Sequence, residues 1–131
     1  HLDIKPENIL IDPNLNPILT DFGFATNQKY ILSQHGTLQY ASPEIRKASD
    51  FYDPLISDIW SLGVTFYVIA TRNFPYDWRR PLCKKTFEDS LLKVKNIKLR
   101  DLIGLCLQAN PNNRARINTI SRHEYLAEDS L

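Results

Sequence analysis

The chain has 131 residues, of which 43% are hydrophobic and 24% are charged, and this composition is typical of a single folded domain. The formal net charge of +1 gives no reason to expect nucleic acid as a partner. The longest largely apolar stretch, residues 62–70, is far shorter than the ~20 residues that a helix needs to cross a bilayer, so we expect no membrane segment.

The two cysteines, Cys83 and Cys106, are far apart and have no metal-binding spacing. This pattern favours reduced, partly buried thiols over a disulfide or a metal site. The first residues are polar, unlike those of a signal peptide, and the sequence contains no methionine. The absence of methionine leads us to expect a fragment of a longer protein, or a chain processed at its N-terminus. We expect a cytoplasmic or nuclear location.

The first third of the sequence predicts a loop, a hairpin and a long second loop. Residues 1–8 are polar, which indicates a loop. Two short apolar runs, 9–11 and 17–20, flank a turn rich in Asp, Pro and Asn and predict a β-hairpin. Residues 21–42 show no sustained period, with room for one short strand at 29–32, and loops of this length are usually functional or disordered.

The remaining sequence predicts helices. Ser42 can cap a short helix over 43–48. The strongest helical pattern covers 57–71, with Ser57 or Asp58 as its cap, and its apolar residues leave no polar stripe, so this helix should be buried on nearly all sides. Three further helices are predicted, at 86–94, 99–109 and 118–126. The predicted fold is mainly α with one small β-hairpin.

The two loops carry the residue types that phosphoryl transfer needs. Asp3, Lys5 and Asn8 lie in the first loop, and Asp21 opens an Asp-Phe-Gly motif in the second. Phosphoryl transfer depends on positioning and charge neutralisation. A carboxylate can orient the attacking hydroxyl, a lysine can neutralise the transferring group, and amide and carboxylate oxygens can hold Mg²⁺. A hairpin between the loops would bring them side by side.

Each motif alone has an ordinary structural explanation. The first could be a charge-rich polar turn, and Asp-Phe-Gly consists of three common residues that recur by chance. The two motifs together, separated by a hairpin pattern and followed by a buried helix, favour the catalytic interpretation.

The sequence resembles the C-terminal lobe of a eukaryotic serine/threonine protein kinase over nearly all of its length. The segment Lys5-Pro6-Glu7-Asn8 has the serine/threonine form of the catalytic loop, because tyrosine kinases usually lack its lysine. The pattern is nearest to the calmodulin-dependent and AMP-activated kinase group. The other matching segments are His1-Leu2-Asp3, Asp21-Phe22-Gly23, Tyr40-Ala41-Ser42-Pro43-Glu44, Asp58-Ile59-Trp60-Ser61-Leu62-Gly63 and His123-Glu124-Tyr125-Leu126.

This resemblance implies ATP and Mg²⁺ as cofactors and a protein as substrate. It also implies a layout of one kinase domain over 1–131, without the N-terminal lobe of the α+β fold. The implied segments are a catalytic loop at 1–8, an activation segment at 21–44, the central helix at 57–71 and later helices to 126. The implied roles are Asp3 as catalytic base, Lys5 as phosphate-directed lysine, Asn8 and Asp21 as Mg²⁺ ligands, Asn8, Leu10 and Asp21 as nucleotide contacts, and Thr37 near the acceptor residue.

Three residues have implied structural roles. Asp58 would hold the backbone of the catalytic loop. Glu44 and Arg114 would form a partly buried ion pair whose rupture should cost several kcal/mol.

Leu2 departs from the family pattern, because His-Arg-Asp has an arginine at this position. In the family that arginine pairs with a phosphate on the activation segment, and a leucine cannot. Ser33 is the candidate phosphorylation site, but Leu2 favours the alternative that it is an ordinary exposed loop serine. We therefore predict that activity does not depend on phosphorylation of Ser33.

The Gly-rich loop, the strand lysine and its glutamate partner have no counterpart in the sequence. We therefore expect these 131 residues alone to expose apolar surface and to be inactive. The alternative to an enzyme is a pseudokinase, or a truncated product, that acts as a scaffold. Two basic pairs, Arg79-Arg80 and Lys84-Lys85, could contact acidic substrates or partners, or could simply be solvated.

Overall fold

The computed structural model describes residues 1–47 and 49–127 of the chain. Its regular elements are β1 (Ile9–Ile11), β2 (Pro17–Leu19), α1 (Pro43–Lys47), α2 (Pro54–Thr71), α3 (Lys84–Leu91), α4 (Ile97–Cys106), α5 (Ile117–Ser121) and α6 (Glu124–Ala127). Two single-turn 3₁₀ helices cover Pro6–Asn8 and Leu38–Tyr40. The prediction of a mainly α fold with one small β-hairpin is confirmed.

The hairpin pairs β1 and β2 in antiparallel register, with Ile9 opposite Leu19. Its turn is organised by Asp12, whose Oδ1 accepts hydrogen bonds of 2.8 Å from the backbone N–H groups of Asn14 and Asn16. The bond from the Asn16 backbone is the main cause that lowers the pKa of Asp12. The turn chemistry therefore fixes the register of two strands that are too short to fix it alone.

The central helix α2 begins at Pro54, three residues before its predicted start. Asp53 caps it, because its Oδ1 accepts a hydrogen bond of 2.9 Å from the backbone N–H of Leu55, and Pro54 suits the first helical position. The predicted cap at Ser57 or Asp58 is therefore wrong. The helix ends at Arg72, which has the left-handed φ of 59°.

The helix α2 packs against α4 at the centre of the largest core cluster. Trp60, Val64 and Tyr67 of α2 are fully buried, together with Ile103 of α4 and Leu107 just beyond it. By length and composition α2 could also span a bilayer, but 56% of its 18 residues are buried inside the protein. A core helix satisfies the same criterion, and burial supports that explanation here.

Close approach of the two helices depends on Gly63. A Cβ built at this position would lie 2.5 Å from Cβ of Cys106 and 3.0 Å from Cδ2 of Leu107. A contact of 2.5 Å between carbon atoms is far inside van der Waals separation. The absence of a side chain at Gly63 therefore sets the distance between α2 and α4.

The other helices differ from the prediction mainly at their ends. Helix α4 starts at Ile97 because Asn96 Oδ1 accepts a hydrogen bond of 3.0 Å from Leu99 N–H. The helix predicted over 118–126 is divided into α5 and α6, because the His123 ring accepts a bond of 3.1 Å from Tyr125 N–H and caps α6. The predicted strand at 29–32 is a single bridge between Ile31 and Tyr52.

Three smaller differences concern the helix bounds and the thiols. Helix α3 covers Lys84–Leu91 and not 86–94. The predicted end of α1, Ala48, lies outside the described residues. Both cysteines are free thiols, but only Cys106 is buried; the prediction of a partly buried thiol is wrong for Cys83, which is exposed.

The loop after α4 is tied to α1 by a bidentate ion pair. Arg114 donates to Glu44 Oε1 at 2.6 Å and to Oε2 at 3.0 Å, and it also donates to the carbonyl oxygens of Ile56 and Gln108. The Arg114 side chain has no exposed surface, and that of Glu44 is 16% exposed. The guanidinium is thus desolvated but satisfied, which is the condition under which a buried charge is tolerated.

Candidate active site

The first loop presents a buried carboxylate with both oxygens engaged. Asp3 is 9% exposed, and its Oδ1 accepts a hydrogen bond of 2.9 Å from the Thr37 hydroxyl. Its Oδ2 accepts a bond of 3.1 Å from the side-chain amide of Asn8, which also donates to the Asp3 carbonyl at 2.8 Å. The short 3₁₀ helix Pro6–Asn8 turns the chain so that Asn8 faces Asp3.

Lys5 joins the same cluster from the other side. Its Nζ donates to the Thr37 hydroxyl at 2.7 Å and lies 3.8 Å from Asp3 Oδ2. Thr37 therefore bridges the cation and the carboxylate, although it is distant from both in sequence. We call Asp3, Lys5, Asn8 and Thr37 the Asp3 cluster.

Asp58 fixes the backbone beneath this cluster. Its Oδ1 accepts a bond of 2.9 Å from Leu2 N–H, and its Oδ2 accepts one of 2.7 Å from the His1 backbone nitrogen. Because Asp58 lies in α2, these bonds anchor the first loop to the most buried helix of the protein. Leu2 itself has a φ of 71°, a left-handed conformation that costs free energy in a leucine and needs such support.

The second loop is joined to the first through the end of the hairpin. Thr20 N–H donates to the Asn8 carbonyl at 2.8 Å, and the Thr20 carbonyl accepts a bond of 2.8 Å from the His1 ring. The His1 ring also makes an edge contact with Phe22, with centroids 4.9 Å apart. Asp21, between Thr20 and Phe22, is exposed and has a φ of 60°.

The side chain of Leu2 leaves this polar site and enters an apolar cluster. It is 4% exposed and packs with Ile31, Ala41, Ile45 and Tyr52. Backbone hydrogen bonds of 3.0 and 2.8 Å between Ile31 and Tyr52 hold the long loop against the start of α2. We call these five residues the Leu2 cluster.

Ser33 lies just beyond the Leu2 cluster and is exposed. Its hydroxyl is 2.7 Å from Nε2 of His35, and its carbonyl accepts a bond of 2.8 Å from the Tyr52 hydroxyl. Neither bond involves an arginine or a lysine. The loop around Ser33 is held by the packing of the Leu2 cluster, by the Tyr52 hydroxyl and by the Gln34 side-chain amide, which donates to the carbonyl oxygens of Ile45 and Arg46.

Gly36 allows the long loop to pass over the first. It has a φ of +85°, and a Cβ at this position would collide with the Leu2 carbonyl oxygen. Only glycine combines this conformation with this close approach at low cost. Because of this close approach, the next residue, Thr37, lies within hydrogen-bond distance of Asp3 and Lys5.

Comparison with known proteins supports a family assignment. Residues 1–126 match the family model described as protein kinase domain. The chain belongs to the protein kinase family. It is 34% identical to the carbon catabolite-derepressing protein kinase of Candida glabrata, over 98% of this chain and 22% of that protein.

Other serine/threonine kinases are similarly close. CBL-interacting protein kinase 1 of Oryza sativa subsp. japonica is 34% identical over 98% of the chain and 30% of its own length. Testis-specific serine/threonine-protein kinase 2 of Mus musculus is 34% identical over 96% of the chain and 39% of its own length. The chain thus spans well under half the length of these kinases, and it is a member of the eukaryotic serine/threonine group.

Most of the predicted site residues come together in this kinase structure. Asp3, Lys5, Asn8 and Thr37 form one hydrogen-bonded cluster, with Asp58 behind it and Asp21 attached through Thr20. Leu10 lies on β1 with 57% of its surface exposed. Ser33, Glu44 and Arg114 lie outside the Asp3 cluster.

Sequence reasoning missed two contributors to the site. The contact between His1 and Phe22 could have been suspected, because each is the aromatic residue of one of the two motifs, His1-Leu2-Asp3 and Asp21-Phe22-Gly23. The Leu2 cluster could not, because its members are spread over residues 2–52 and only tertiary folding brings them together.

Proposed function

We propose that this site transfers the γ-phosphoryl group of ATP to serine or threonine hydroxyl groups of proteins. The observation that carries the proposal is the convergence of Asp3, Lys5 and Thr37 within direct hydrogen-bond or ion-pair distance. A carboxylate and an ammonium group that share one hydroxyl have the charges that phosphoryl transfer requires.

In the proposed mechanism Asp3 positions the acceptor hydroxyl and receives its proton. As the hydroxyl oxygen forms a bond to the γ-phosphorus, the bond between that phosphorus and the bridging oxygen breaks, and ADP leaves. Thr37 and Asn8 hold the two carboxylate oxygens of Asp3, so that little reorganisation accompanies the reaction. Lys5 stabilises the negative charge on the transferring group.

Asn8 and Asp21 suit a magnesium ion that would bind with ATP. The Asn8 amide nitrogen is engaged by Asp3, which directs its Oδ1 away from these bonds and leaves it available as a ligand. Within residues 1–47 and 49–127, Asp21 Oδ1 accepts a single long bond of 3.3 Å, from Gly23 N–H. Mg²⁺ prefers a few such oxygens together with substrate phosphates, and when bound it would neutralise phosphate charge.

The test is phosphotransfer by the full-length protein from γ-labelled ATP to a mixture of serine- and threonine-containing peptides. We expect Asp3→Asn to reduce the rate about 10²- to 10⁴-fold, the usual contribution of a positioned acid or base. Asp89→Asn, at an exposed carboxylate on α3, is the matched control and should leave the rate unchanged.

Two results would contradict the proposal. Labelling that Asp3→Asn leaves intact would remove Asp3 from the mechanism. A folded full-length protein that gives no labelling would favour the scaffold alternative. Residues 1–131 alone should give no labelling above the Asp3→Asn background, because they offer contacts to only one side of the nucleotide.

A further inference from the structure

A groove lies on the surface between α1 and the loop that precedes α3. Its volume is about 510 Å³. Its walls combine three basic side chains with apolar ones. The lining residues that matter here are Arg46, Lys47, Trp78, Arg80, Pro81 and Leu82, which we call the basic groove.

Among the residues that the structure describes, three cations and no acidic residue line the basic groove. Within residues 1–47 and 49–127, neither Arg46 nor Lys47 forms an ion pair. Arg80 is 3.5 Å from Asp77, but its side chain is 82% exposed and it shares that carboxylate with Arg79. Exposed pairs of this kind offset little charge.

Arg46 is the most buried of the three cations, and its hydrogen bonding is incomplete. Its guanidinium lies 5.0 Å from the centre of the Tyr76 ring, and its one hydrogen bond to the Trp78 carbonyl is long, at 3.4 Å. Its Nε is buried without a hydrogen-bond partner in the described chain. The ring holds the guanidinium in place while leaving donors for a carboxylate, which arginine binds well.

The apolar wall of the basic groove indicates a ligand larger than a free anion. Trp78 and Leu82 are half-buried, and Pro81 is exposed beside them. Tryptophan and arginine are enriched among the few residues that carry most of the binding energy of protein interfaces. A small anion would leave this wall exposed to water, whereas a peptide with acidic and apolar residues would cover it and meet the cations.

We infer that the basic groove binds a partner protein through a peptide segment in which acidic residues flank an apolar one. Charge complementarity selects the acidic residues, and the wall of Trp78 and Leu82 selects the apolar one. This surface is separate from phosphoryl transfer, because none of its residues belongs to the Asp3 cluster. Of the first basic pair of the sequence, Arg80 lines the groove and Arg79 does not, and neither lysine of the second pair lines it.

The experiment uses full-length protein and a fluorescent peptide of sequence Glu-Phe-Glu-Glu-Leu-Glu, with binding followed by fluorescence anisotropy. We expect saturable binding that Lys47→Glu and Arg80→Glu each weaken at least about fivefold, as for residues that contribute to an interface. Both residues are exposed, so the substitutions should not disturb folding.

Arg79→Glu is the matched control. It makes the same charge change one position away, at a residue that contacts the same Asp77 but does not line the groove. It should bind the peptide as the parent does. A second peptide, with serine in place of phenylalanine and leucine, should bind at least about fivefold more weakly.

Four results would overturn the inference. The first is the absence of saturable binding at millimolar peptide. The second is an equal loss with Arg79→Glu, which would indicate unspecific attraction between charges. The third is equal binding of the serine peptide, which would reduce the groove to an anion site. The fourth is displacement of the peptide by single-stranded DNA of equal charge, which would indicate a nucleic-acid site.

Discussion

At the scale of single residues, Leu2 has the least expected role in this protein. It occupies a polar loop and a left-handed conformation, yet its side chain is buried in an apolar cluster. Full burial of a leucine side chain contributes about 1.5–3 kcal/mol, which is similar in size to the backbone strain of about 1–3 kcal/mol. Packing of Leu2 thus helps to hold the long loop against the first loop and the start of α2.

Ser33→Ala is therefore expected to leave the activity of the full-length kinase unchanged. The Leu2 cluster and the bond from the Tyr52 hydroxyl to the Ser33 carbonyl remain in this variant, because neither uses the serine side chain. The measurement is the phosphotransfer rate of parent and variant, both produced with and without phosphatase treatment.

Thr37→Ala is the positive control, since it removes a hydroxyl that contacts both Asp3 and Lys5, and its rate should fall. A large loss with Ser33→Ala, or a parent enzyme inactivated by the phosphatase, would show that phosphorylation of the loop is required.

Much of the Asp3 cluster could be predicted at this scale, because Asp3, Lys5 and Asn8 are close in sequence and one turn brings them together. The sequence also pointed to Thr37 and Asp58, but only through the resemblance to a family. No local pattern shows that Gly36 must pass over Leu2, since that contact exists only in the folded chain.

At the scale of elements, the contact between α2 and α4 depends on one missing side chain. Gly63→Ala should destabilise the protein by about 1–3 kcal/mol, the usual cost of overpacking. The reason is that the new methyl group would lie 2.5 Å from Cβ of Cys106. Urea unfolding followed by circular dichroism measures the change.

Gly104→Ala is the matched control, because among the described residues no atom outside the adjoining backbone of α4 lies within 4 Å of a Cβ at that position. It should stabilise the protein by about 0.5–1 kcal/mol through the better helix propensity of alanine. Equal effects of the two substitutions would show that helix propensity alone, and not the packing distance, decides the outcome.

Helices were easier to predict than their ends. The apolar pattern of α2 identified the central helix, but the Asp53–Pro54 cap lies before the apolar run and extended the helix backward. The His123 ring divided the last predicted helix, which apolar spacing cannot reveal. Caps are side-chain hydrogen bonds, and they depend on geometry as well as on residue type.

At the scale of the whole molecule, the core contains two weakly acidic groups, a thiol and a tyrosine hydroxyl, that burial keeps protonated. Burial raises the pKa of the Cys106 thiol from 9.0 to about 12, and it raises that of the Tyr40 hydroxyl from 10.0 to about 12. Both groups lose their proton at lower pH in the unfolded chain than in the folded one. Their contribution to stability is therefore complete below pH 9 and is lost as the pH rises toward 12.

The free energy of unfolding should accordingly decrease between pH 9 and pH 11, by at most about 1.4 kcal/mol per pH unit for each such group. Urea unfolding across this range measures the slope, which should be smaller in Cys106→Ala. Cys83→Ala is the control. Hydrogen bonds from Thr86 lower the pKa of that exposed thiol, so its titration raises the free energy of unfolding with pH and does not lower it. An unchanged slope in Cys106→Ala would contradict the assignment.

The bond between Leu2 and Asp58 also limits when the first loop can form. The two residues are 56 positions apart, and synthesis adds roughly 5–20 residues per second. The carboxylate that anchors the loop is therefore made roughly 3–11 s after the residue it holds. During this interval α2, the helix that anchors the first loop, is not yet complete, and apolar strands that lack their packing partners are a state that chaperones recognise.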